Sequence, residues 1–127
     1  GNTDWSLAFQ HNTEMFFDGK RLVAVPCDFD HSGLVNAFYA KPNPMLKTSS
    51  VTERVYRGLC KRDPDIFLSM RELYISKEQE IFSIINSYKQ NLQEKEFNRV
   101  NKYINSFFDI LKSDTEFNNK ILSKCRG

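Results

Sequence analysis

The chain has 127 residues, of which 40% are apolar, with 11 Phe and 5 Tyr, so it is long enough and apolar enough to bury a real core. Eighteen basic against sixteen acidic side chains leave a net charge of +2, too small and too interspersed for a nucleic-acid binder. No apolar run approaches the ~18 residues of a membrane span, and no charged-then-apolar signal segment opens the sequence.

Residues 1–30 concentrate the chemistry-bearing side chains: Asp4, His11, Asn12, Asp28 and Asp30. Between them, TEMFF and KRLVAVP flank Asp18-Gly19, a pair suited to a type I′ turn that needs positive φ at both central positions. A two-residue loop there predicts a hairpin in which Phe17 faces Lys20 and Asn12 faces Val25. Asn12 and Asp28 then leave the same open end, within reach of a common ion.

Residues 32–50 show no sustained period, and Pro42 and Pro44 disfavour helix before them, so this stretch reads as an extended loop. Residues 51–127 read as helices. Ser50-x-x-Glu53 has the form of a capping box opening a short helix over VTERVYRGLC. Pro64 suits a first helical turn, with Ile66, Phe67, Met70 and Leu73 or Tyr74 on one face. Ser76-x-x-Gln79 offers another box, and the longest amphipathic segment runs over 93–112 with Phe97, Val100, Ile104, Phe107, Phe108 and Leu111 at helical spacing. Ser113-x-x-Glu116 opens a last short helix. The fold expected is α+β, one amino-terminal hairpin packed on a bundle of four or five helices, because strands and helices segregate along the chain.

Cys27, Cys60 and Cys125 lie far apart with no CxxC pair, which predicts separate thiols rather than a zinc site or a disulfide framework; a single disulfide fits only an oxidising compartment. The two histidines lack further ligands at metal spacing.

Phosphoryl transfer asks a protein to orient a hydroxyl with a carboxylate and to hold divalent cations with hard oxygen ligands. Asn2-Thr3-Asp4-Trp5, then His11-Asn12, a hairpin, and Asp28-Phe29-Asp30 follow the order in which kinase-like folds supply those groups. On these motifs the chain resembles the carboxy-terminal lobe of atypical protein-kinase-like phosphotransferases, most closely the bacterial spore-coat CotH-type kinases. The resemblance covers about thirty of the 127 residues. It implies Asp4 as the catalytic group toward a hydroxyl acceptor, and Asn12 and Asp28, with Asp30 as an added ligand, holding Mg2+ with ATP. The span from Asp4 to Asn12 exceeds the usual kinase spacing of about five, which an insertion in SLAFQ absorbs. No glycine follows Asp28-Phe29.

The sequence holds neither a Gly-rich phosphate loop nor a strand-borne lysine, both of which precede the catalytic loop in kinase-like chains. The chain therefore reads as a single domain, the carboxy-terminal part of a larger kinase-like one, inactive alone and with apolar surface that favours self-association. The competing reading is a non-catalytic helical interaction or cell-envelope module whose first thirty residues form an edge hairpin with ordinary turn acids. Location stays open between the cytoplasm and the cell envelope.

Overall fold

The structure, a computed structural model, describes residues 4–6, 11–60 and 63–126. Its architecture is α+β, a two-stranded antiparallel hairpin followed by four α-helices. The chain divides into two compact units, Gly1–Arg54 and Val55–Gly127.

The hairpin lies in the first unit. Strand β1, Thr13–Phe17, pairs with β2, Leu22–Pro26. Phe17 faces Leu22 and Thr13 faces Pro26, so the loop has four residues and the register differs from that expected of a two-residue turn. The Asp18 side chain causes the difference. Its Oδ1 accepts the amides of Lys20 and Arg21, both at 2.9 Å, and its own amide donates to the Arg21 carbonyl at 3.1 Å. Only Gly19 takes a positive φ in this loop, at 92°. Asn12 consequently faces Cys27 rather than Val25, with Cys27 N donating to Asn12 O at 3.0 Å.

The amide hydrogen bonds of Arg21 and Lys20 hold the Asp18 carboxyl below its ordinary value. A depressed carboxylate stabilises the fold above its unfolded pKa of about 3.9, and that support is lost as the pH falls through the folded value. The cross-strand NOE between Phe17 and Leu22 is expected to persist above about pH 5 and to weaken below about pH 4, and in Asp18→Ala to be weak throughout. A pH-independent NOE in both proteins contradicts this account of the turn.

Residues 51–60 are not helical. Glu53 reaches back to Ser49, accepting its amide at 2.9 Å and its hydroxyl at 3.1 Å, which closes one turn over Ser50–Glu53 without a helix following. Val51, Thr52, Val55 and Tyr56 are β-branched or aromatic and favour helix weakly. The segment pairs instead with the far end of the chain. Leu59 and Arg126 form a parallel bridge, Cys60 N donates to Arg126 O and Arg126 N to Gly58 O, both at 2.8 Å. A disulfide joins Cys60 to Cys125 across a separation of 65 residues, correcting the expectation of separate thiols, while Cys27 is free and exposed.

Helix α1, Pro64–Ser76, starts with proline at its first turn and Asp63 as N-cap, whose side chain accepts Asp65 N. Helix α2, Glu78–Ser87, follows after Lys77 alone and has no side-chain cap. Ser76 cannot serve as expected, because it is still helical and its hydroxyl donates back to Leu73 O at 2.8 Å. Helix α3, Glu94–Lys112, matches the long amphipathic segment, and Ser113 caps α4, Asp114–Lys120, by accepting Glu116 N.

The core of this unit is Phe108, Leu111 and Phe117, with Phe67 and Ile75 from α1, Ile81 and Phe82 from α2, and Ile121 and Leu122 packed around them. Two ion pairs tie helices at its edge, Lys112 to Glu78 at 2.6 Å and Arg71 to Asp114 at 2.7 Å. Among the described residues no helix is long and apolar enough to cross a membrane.

Candidate functional site

The candidate residues meet at the open end of the hairpin. Ser6 and His11 form an antiparallel bridge, with Ser6 N donating to His11 O at 3.1 Å and His11 N to Ser6 O at 3.0 Å. This return places Asp4 beside Asn12, whose Nδ2 donates to Asp4 Oδ2 at 2.9 Å. His11 Nδ1 sits 2.7 Å from the Asp4 carbonyl. Asn2 and most of the SLAFQ stretch read as an insertion lie outside the described residues.

Trp5 ties this corner to the end of β2. Its indole Nε1 donates to the carbonyls of Cys27 at 2.9 Å and Asp28 at 3.2 Å, and its ring meets Phe29 edge-on at 4.9 Å. Trp5 therefore acts as a clamp at the site. Asn12 and Asp28, the residues on either side of the hairpin's open end, both adopt left-handed backbone, with φ of 51° and 50°. Asn and Asp tolerate that conformation better than other non-glycine residues, which is why a sharp exit from each strand is feasible without glycine. Asp30, where the kinase-like pattern has glycine, does not adopt a positive φ, so the local path does not call for glycine there.

Past the turn, Asp30 Oδ1 accepts the His31 amide at 2.7 Å, and Ser32 N bonds Phe29 O at 2.9 Å. Desolvation pushes the Asp30 carboxyl up, but hydrogen bonds with the Asp28 side chain, the Tyr39 hydroxyl and the His31 amide, aided by the His31 charge, outweigh it and leave the group below its ordinary value. Tyr39 donates to Asp30, and that bond, with burial and the acidic neighbours, raises the phenol above its ordinary value. The His31 ring also meets Tyr39, centroids 6.2 Å apart.

One ligand atom each from Asp4, Asp30 and His31 lies within 4.8 Å of the others. Around Mg2+, with oxygen ligands at about 2.1 Å, opposite donors are about 4.2 Å apart and adjacent ones about 3.0 Å, so the trio would close by up to about 2 Å to share one ion. Of these donors the two carboxylates are hard ligands, joined by Asn12 in contact with Asp4 and Asp28 bonded to Asp30, while the His31 nitrogen suits a transition metal better than Mg2+. The structure thereby brings Asp4, Asn12, Asp28 and Asp30 to one corner, and adds two residues that the sequence argument left aside. His31 adjoins Asp30 in sequence, a signal that was available; Tyr39 arrives through the turns of residues 32–39 and had none.

Compared with protein-family models, with curated proteins and with solved structures, the chain matches none of them.

Proposed function

We propose that the amino-terminal unit holds a divalent cation for metal-assisted phosphoryl transfer from a nucleotide to a hydroxyl acceptor, in the manner of kinase-like enzymes. The observation that carries the reading is the convergence at one corner of Asp4, bonded to Asn12, and Asp30, bonded to Asp28, whose ligand atoms lie with that of His31 within 4.8 Å of one another. In this reading Asp4 orients the acceptor hydroxyl, and Asn12, Asp28 and Asp30 hold Mg2+, which when bound neutralises phosphate charge. Asp30 suits that role because, against desolvation, its hydrogen bonds hold the carboxyl below its ordinary value. The chain has no Gly-rich loop and no strand lysine, so the groups that cover the phosphates belong to another part of the parent enzyme, and this chain alone is inactive.

Titration with Mn2+, followed by its electron paramagnetic resonance signal, tests the site on the chain as it stands. One ion per chain is expected, displaced by Mg2+, with affinity falling about tenfold or more in Asp30→Asn. Lack of saturable binding up to millimolar Mn2+, or Asp30→Asn binding as the parent does, rejects the cation site.

A second reading, a non-catalytic helical module of the cell envelope, draws support from the Cys60–Cys125 disulfide, since such bonds persist mainly in oxidising compartments. It is favoured if Mn2+ fails to bind.

A further inference from the structure

The carboxy-terminal unit contains a concave pocket of about 340 Å³ between α1, α3 and α4. Phe107 and Leu111 of α3, Phe117 of α4 and Ile66, Met70 and Tyr74 of α1 line it, together with Tyr56 and Ile121. A dry cavity of about 150 Å³ takes benzene, so this volume suits a body about twice that size. Its lining residues are apolar apart from the hydroxyls of Tyr56 and Tyr74 and one charged side chain, Arg71.

Arg71 is placed as a head-group anchor. The side chain is only 17% exposed, its guanidinium lies 4.7 Å from the Phe117 ring centre, and its Nε donates to the Leu111 carbonyl. Those contacts fix the plane of the fork. The remaining partner is Asp114, bonded at 2.7 Å but with a side chain 93% exposed. An exposed carboxylate holds such a pair weakly and leaves at little cost, so another anion can take its place from the pocket side.

The wall carrying Tyr56 is held by the disulfide strap. The chain from Tyr56 runs through Gly58 to Cys60, where the bridge to Arg126 and the bond to Cys125 anchor it. Tyr56 meets Phe67 edge-on, centroids 6.0 Å apart, and its ring occupies the space that a Cβ at position 58 would take. Glycine at 58 is what lets the ring fold over the pocket.

The geometry points to this pocket as the binding site for a small amphiphile, an apolar body of roughly ten carbons with an anionic head held by Arg71. A protein helix fits less well: the pocket is short, its one charge is clustered at one place, and a strap closes one side. This site lies in the carboxy-terminal unit and does not depend on the cation site.

Decanoate and decanol, which share an apolar body and differ in the head, are the probes, read by calorimetry and by 15N and methyl NMR on the full chain. Decanoate is expected to bind at one site, shifting Leu111, Phe117 and Ile121, about tenfold or more tighter than decanol, as a charge-assisted bond requires. Arg71→Met should bring decanoate to the decanol level. Should that variant fail to fold, Asp114→Asn gives the same information from an exposed position: removing the competing carboxylate should tighten decanoate about two- to fivefold and leave decanol unchanged. Met70→Trp, at a half-exposed wall position, should block both probes. Equal affinity for the two probes, shifts centred on the exposed Phe16 and Phe17 of the hairpin, or a self-associating chain whose dimer decanoate does not disturb each overturns the proposal.

Discussion

Reduction of the Cys60–Cys125 disulfide is expected to remove about 4 kcal/mol from the stability of residues 55–127, the value for a closed loop of this length. The magnitude matters because the unit is small and its buried apolar residues, among those described, are Phe108, Leu111 and Phe117. A domain below about 80 residues with so thin a core has only a few kcal/mol to spare, so the reduced form should be largely unfolded at 37 °C. Urea unfolding followed by circular dichroism, with and without dithiothreitol and in the Cys60→Ser/Cys125→Ser protein, measures the difference. An unchanged midpoint after complete reduction refutes the role given to the bond.

Phe108→Ala should come next in size. Phe108 is 1% exposed and meets Phe82 and Phe107 with ring centres 5.8 and 5.4 Å away, so its truncation removes both the transfer energy and the contacts of two neighbouring rings. A loss of about 3 to 5 kcal/mol is expected from chemical denaturation of the oxidised protein. Ile84→Ala, at a position 56% exposed, serves as the control and should cost well under 1 kcal/mol. Similar costs for the two would mean that the helices do not pack around Phe108.

What the sequence revealed and what it hid divide along the range of the interactions. Pro64 at the first turn of α1, the long apolar stripe of α3 and the Ser113 cap of α4 are set by neighbours within a few residues, and all three stand as expected. The hairpin was legible from Asp18-Gly19, but its register was not, because a carboxylate that caps two amides converts a two-residue loop into a four-residue one. Ser50 and Glu53 illustrate a local signal overridden: the turn forms, and the following residues are drawn to Arg126 and Cys125 instead of continuing as helix. Cysteines separated by 65 positions carry no spacing signal at all. At the candidate site, order along the chain indicated Asp4, Asn12, Asp28 and Asp30. The contributions of His31 and Tyr39 depend on the path of residues 32–39, which has no periodic pattern to read.

The bridge between Leu59 and Arg126 has a further consequence, one for protein engineering. With Cα atoms of Cys60 and Cys125 only 4.9 Å apart, the run of helices between them begins and ends at neighbouring points. A module whose two ends adjoin can be spliced into a surface loop of a host protein without stretching either partner, as successful domain insertions require. The stretch between Cys60 and Cys125 thus has the geometry that insertion into a host loop asks for, with the disulfide as the clasp at its neck.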